Sequence, residues 1–280
     1  MAIKNQIKTV LLLGILTGIL LVIGQFLGGN TGLIIALVIS LALNFSMYWF
    51  SDRIALFIYR AKPADPKQYR ELHNLVADTA KLSGIPKPRV YIIPSEQSNA
   101  FACGRNPKNA SVAFTQGILK LMTKEELQGV TAHEISHVKN RDVLISTIAA
   151  SIAGIISYIA MMVRWGPLFN SDEEGVNPLY YIIIGILTPI IAMLIQLAIS
   201  RSREYFADES GAKLLRNSEG LATALQKLES DTKKTPMRLG SPSTAHLFIA
   251  NPFRGQFLMS LLSTHPNTQS RVERLRKIKF

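Results

Sequence analysis

Four apolar runs divide this chain: Val10 to Leu27, Gly32 to Phe50, Val143 to Val163 and Leu179 to Ile199. None carries a charge, and each has roughly the 17–25 residues a helix needs to cross a bilayer core. As core helices of a soluble protein they would have to be apolar around their whole circumference, four times over. They are therefore expected to be transmembrane helices, paired as two hairpins. The first run follows Lys4 and Lys8, as a signal peptide would, but it is long and lacks a small-x-small cleavage site. With a second run so close behind, it reads as an uncleaved anchor.

Between the second and third runs the pattern changes. Leu72, Leu75, Val76 and Leu82 recur at helical spacing among polar residues, predicting an amphipathic helix over 67–82, stopped at Ser83-Gly84-Ile85-Pro86. Residues 89–93 read as a short strand closed by Pro94, and 99–104 and 111–115 as two extended pieces around a turn at 106–109. Thr123-Lys124-Glu125-Glu126 is a capping box, which starts a helix running through Leu127, Val130 and Ile135. Past the fourth run, helices are expected over 200–215 and 221–228, then a polar loop over 231–242 and a basic, solvated stretch over 269–280. The division is thus 1–52, an amino-terminal hairpin; 53–142, the first half of a polar domain; 143–199, the second apolar pair; and 200–280, the second half.

Charge sets the orientation. Lys4 and Lys8 precede the first run, Arg53, Arg60 and Lys62 follow the second, Lys139 and Arg141 precede the third, and Arg201 and Arg203 follow the fourth. The loop between the last two runs has Arg164 against Asp172, Glu173 and Glu174. By the positive-inside rule both termini and the polar domain face the cytoplasm of a multi-pass plasma (inner) membrane protein. The net charge of +12 is explained by this topology and by anionic lipid, with the bilayer as a partner; no aromatic-basic pattern points to nucleic acid. The single Cys103 excludes an internal disulfide and reads as a small apolar residue in a packed strand.

The chemistry lies in His133-Glu134-Ile135-Ser136-His137, on the helix that the capping box begins. Imidazoles four apart on a helix share one face and can hold one cation, with the glutamate beside them placed to take a proton from water. Five histidines in 280 residues would give HExxH by chance on the order of a few times in a thousand chains. The motif lacks a third ligand. Glu204 and Asp208, four apart on the helix expected after the fourth run, offer one carboxylate for the metal and one to orient a ligating histidine. Of the other histidines, His73 reads as a surface residue and His246 has no assigned role. Asp142, closing the motif helix, is a candidate for support behind the ligands.

HEISH, two apolar runs, then Arg201-x-x-Glu204-x-x-Ala207-Asp208 resembles the HtpX family of membrane zinc endopeptidases, relatives of the CAAX prenyl protease 1 type. Asn99-Ala100-Phe101-Ala102, the apolar amino-terminal hairpin and Thr264-His265-Pro266 with Arg271 extend the likeness over essentially the whole chain. The resemblance implies a mainly α integral membrane protein with four transmembrane helices and a gluzincin-like zinc protease domain carrying a small β-sheet. It implies one Zn2+ held by His133, His137 and Glu204, Glu134 as general base, Asp208 behind a histidine ligand, and His265 and Arg271 stabilising the transition state. It also implies a role in the stress response and membrane-protein quality control. Cys103 stands where the family often has threonine, a small residue either way.

The expected activity is hydrolysis of damaged or misfolded proteins, with substrate extended along Asn99, Ala100, Phe101 and Ala102 as an added strand. Two alternatives stand beside it: an intramembrane metalloprotease, in which HExxH would lie inside a span, and a non-catalytic zinc-containing scaffold, which would need a fourth protein ligand. Transport has no support, because the spans hold no charge.

Overall fold

The computed structural model describes residues 2–152, 201–250 apart from 236, 238 and 241, and 266–280. The first two apolar runs form one helical element, α1 (Ala2–Ile58), broken at Gly28 and Gly29. Gly29 has φ +56°, a left-handed conformation that only glycine adopts without strain. The chain doubles back there, since the Asn44 amide donates to Thr17 Oγ1 at 2.8 Å across the two arms. Much of the second arm stays uncovered, with Ile34, Val38, Leu41 and Phe45 exposed. Of the described residues, Gly28–Ile58 alone makes a helix long and apolar enough to cross a membrane, with shorter apolar helices at Thr9–Val22 and Val143–Ile152. Most of the third expected span and all of the fourth lie outside the described residues.

The polar domain follows. A two-residue strand β1 (Lys62–Pro63) precedes α2 (Arg70–Ser83), β2 (Arg89–Ile93), β3 (Ala100–Asn106), β4 (Asn109–Thr115), α3 (Gln116–Leu121) and α4 (Lys124–Lys139). The sheet order is β1-β2-β4-β3. Strand β2 runs parallel to β4, and β3 and β4 form the expected hairpin, pairing Ala102 with Val112 and Cys103 with Ser111. Cys103 is buried, and burial pushes its thiol up. Neither β1 nor α3 is legible in the hydrophobic pattern, since two to six residues carry too little periodicity to register.

Helix α4 begins as its capping box requires: Thr123 Oγ1 accepts from the Glu126 amide at 3.3 Å, and Glu126 Oε2 accepts from the Thr123 amide at 2.9 Å. Helix α5 (Val143–Ile152) opens the third apolar run. Then come α6 (Arg201–Leu215), α7 (Glu219–Lys234), which extends into the expected loop, a 3-10 turn at Pro242–Leu247, and α8 (Thr268–Arg276). A continuous core of Val76, Val112, Phe114, Ile118, Val130, Leu225 and Leu275 joins the sheet to α2, α4, α7 and α8. Packed between sheet and helices, α4 is buried on most sides, so the polar residues it carries are lifted out of water.

Candidate metal centre

Two helices meet at the motif. Gly211 makes this possible: a Cβ there would stand 3.0 Å from the backbone nitrogen of His133, so α6 lies against α4 closer than a side chain comfortably allows. That approach puts Glu204 opposite the histidine pair, with its Oε2 3.7 Å from His133 Nε2 and its Oε1 3.5 Å from His137 Nε2. The His133 and His137 Nε2 atoms are 3.2 Å apart. Ligand atoms of all three residues fall within 4.8 Å of one another.

The outer nitrogens are fixed by carboxylates. His133 Nδ1 lies 2.9 Å from Asp208 Oδ1, and His137 Nδ1 lies 3.2 Å from Asp142 Oδ2. The charge of a carboxylate beside each ring favours the proton on Nδ1, so each Nε2 turns a lone pair inward. Two lone pairs at 3.2 Å repel unless a proton or cation sits between them. The edge of a tetrahedral zinc site with Zn–N bonds of about 2.0 Å is about 3.3 Å. The donor set therefore fits zinc.

Asp208 is itself clamped. Arg271 donates to it twice, Nε to Oδ2 at 2.8 Å and Nη2 to Oδ1 at 2.7 Å, and gives Nη1 to the Ile249 carbonyl at 2.9 Å. The basic stretch expected to be solvated is so at Arg274, Arg276 and Lys279, but Arg271 turns inward and is only 2% exposed. Burial pushes the Asp208 carboxyl up, yet the charge and hydrogen bonds of Arg271, with His133, outweigh it and bring it down to about 2. Burial likewise pushes His137 down, but Glu204 and Asp142 outweigh it and raise it to about 9. A cation bound there must displace that proton. At His133 burial wins and the imidazole is held low.

Glu134 is 2% exposed and lies beside the Ala102 backbone of β3, whose amide favours its charged form. Burial pushes its carboxyl up to about 8, against the opposing charge of His137.

Of the residues singled out in the sequence, His133, Glu134, His137, Glu204 and Asp208 converge. Arg271 joins them from behind Asp208: its guanidinium is engaged there and with Ile249, and its Nη2 stands 4.0 Å from Glu204 Oε2. Asn99, Ala100, Phe101 and Ala102 are all buried, and Ala102 lines the cavity beside the motif. His265 lies outside the described residues. Asp142 is more closely involved than its sequence suggests, because Arg141, at φ +58°, ends α4 in a turn that swings the next residue back onto His137. His246, far downstream of the motif in sequence, lines the same cavity, with Nε2 3.2 Å from the Ser146 carbonyl. His73 is half-buried and holds the Ala64 carbonyl at 3.0 Å.

Residues 66–279 match the profile described as Peptidase family M48. A Protease HtpX homolog of Persephonella marina is 52% identical over 277 residues, spanning 97% of this chain and 96% of the relative. Another, from Pyrococcus furiosus, is 50% identical over 281 residues, spanning 99% and 97%. Among solved structures, S. mikatae Ste24p shares the fold with a TM-score of 0.50 at 18% identity; 98% of this chain is matched, over 66% of that chain's length. The kinship expected from the motif order is thus found across the whole sequence, and it supports a membrane metalloprotease: the chain belongs to peptidase family M48.

Proposed function

We propose that this protein is a membrane-bound zinc endopeptidase that cleaves damaged or misfolded proteins, including membrane proteins, at a site facing the cytoplasm. The observation that carries the reading is the convergence of two histidines and Glu204 with a buried Glu134 beside them. His133, His137 and Glu204 would hold zinc, which would supply Lewis acidity toward water and the scissile carbonyl. The residues of the chain do the rest. Glu134, buried beside the Ala102 backbone, takes the proton of the attacking water and passes it to the leaving amine. Asp208 and Asp142 hold the imidazoles in one tautomer and orientation, and Arg271 holds Asp208. We assign Arg271 as a positioning residue on this geometry. His265 is kept as the proposed donor to the developing oxyanion.

Exposed apolar side chains on α1 support anchoring in a bilayer, and the cation distribution supports the cytoplasmic orientation. The motif helix is capped by polar residues and packed on a sheet, which favours a site outside the membrane over an intramembrane one. Among the described residues three side chains could hold the ion, and a three-ligand set, which would leave a position for water, favours catalysis over a structural zinc scaffold.

The test is Glu134→Gln in the full-length protein. Zinc content should stay at one per chain while cleavage of an unfolded protein such as casein falls by roughly 10²–10⁴-fold. Near wild-type cleavage by that variant would remove Glu134 from its role.

A further inference from the structure

The groove that a substrate strand needs is already filled by the chain itself. Among the described residues β3 ends the sheet, so its outward main-chain groups are the ones a peptide would pair with. The Ala100 carbonyl accepts the Ile249 amide at 3.2 Å, and the Asn99 side chain donates to the Ala250 carbonyl at 2.7 Å. Leu247, Phe248 and Ile249 are all buried, and with His246 they line the cavity that also borders His133, Glu134, His137 and Glu204. What is left is about 30 Å³, room for water and not for a peptide.

The filling segment has one main anchor. The Phe248 ring packs edge-on against Tyr59 at 4.8 Å and against Phe101 at 5.2 Å. Tyr59 directly follows α1 and holds the segment a second time, through a short hydrogen bond between its hydroxyl and Thr244 Oγ1. The Ile249 carbonyl is held by Arg271, which also clamps Asp208. One apolar segment thus covers the strand edge and the metal ligands together.

Resting on the protease reading, we infer that Leu247–Ala250 is an internal stand-in for substrate, which blocks the cleft until an extended apolar peptide displaces it. The chemical class follows from what the stand-in offers: one main-chain amide for the Ala100 carbonyl, and bulky aliphatic or aromatic side chains for the sites of Leu247, Phe248 and Ile249. Polar, well-solvated segments cannot replace the burial lost when Phe248 leaves its pocket, so they do not open the cleft. Exposed apolar stretches of a misfolded protein can.

The experiment uses the full-length, zinc-loaded protein in detergent micelles, with two variants. Tyr59→Phe deletes one hydroxyl and keeps the ring; Phe248→Ala empties the anchor pocket. The rate at which 1,10-phenanthroline strips zinc reads access without requiring catalysis. It should rise about fivefold in Tyr59→Phe, the effect of one buried hydrogen bond, and further in Phe248→Ala. Casein cleavage should rise in parallel, with KM falling, and mapped cuts should be flanked by Leu, Ile, Phe or Val. Faster stripping with no cleavage by any form would keep the cover and sink the protease reading. If Tyr59→Phe melts like the wild type and both strips and cleaves at wild-type rates, or if mapped cuts ignore apolar residues, the inference is overturned.

Discussion

Arg271→Ala tests how the metal centre is held. Arg271 is 2% exposed and spends its guanidinium on Asp208 and the Ile249 carbonyl, so its loss leaves a buried carboxylate with no cation and a buried carbonyl with no donor. Breaking a buried pair from one side costs about 3–5 kcal/mol, several times the loss expected of a surface ion pair such as Lys120–Glu96. Asp208 should also change its titration. In the wild type its carboxyl sits at about 2 against an ordinary 3.8. Because the folded value is the lower one, the pairing contributes stability at pH above 3.8, about 2 kcal/mol. That contribution is lost as the pH falls from there through about 2. Without Arg271, burial acts alone and drives the carboxyl upward, so the acid limb of the stability curve should move to higher pH. A protonated Asp208 holds His133 less firmly, and zinc affinity should drop by roughly 10–100-fold. Urea melts across pH, with zinc competition against a chromogenic chelator, measure both effects. Arg271→Lys should recover part of each, since it keeps the charge but loses the two-pronged geometry. A variant that loses under about 1 kcal/mol and binds zinc as the wild type does would show that Asp208 does not depend on Arg271.

Three further outcomes follow from named contacts. Asp142→Ala should weaken zinc binding by roughly 10–100-fold by freeing the His137 ring, with Asp142→Asn weakening it less; equal affinity in all three by chelator competition would refute the orienting role. Gly211→Ala sets a methyl group 3.0 Å from the His133 backbone and should cost about 1–3 kcal/mol while lowering zinc affinity, because Glu204 rides on the helix that must yield; unfolding and metal titration check it. Thr123→Ala removes only the α4 cap and should cost about 1 kcal/mol in a denaturant melt with zinc affinity unchanged, so a large loss of zinc binding would mean that α4 frays as far as His133.

Much of this protein is legible in its sequence because the signals are local. Period and length pick out α1, α2 and α4, the capping box fixes where α4 starts, and Gly28-Gly29 mark the hairpin. The spacing of His133 and His137 puts them on one helical face whatever surrounds them. Glu134, Glu204 and Asp208 could be named because ligand chemistry demands carboxylates and few stand at suitable spacing. Three things depend on contacts between residues far apart in the chain. Arg271 lies 63 positions from Asp208 and reads locally as one more basic residue, until packing of α8 buries it. Asp142 reaches His137 only because α4 ends in a turn at Arg141. The segment Leu247–Ala250 carries no motif at all, and its cover over the cleft comes from β3 standing at the sheet's end with Tyr59 behind it. Sequence alone determined which atoms can hold a cation, since that is set by side-chain type and helical pitch. Tertiary structure decided what holds those atoms still and what bars the way to them, because burial and long-range pairing exist only once the chain has folded.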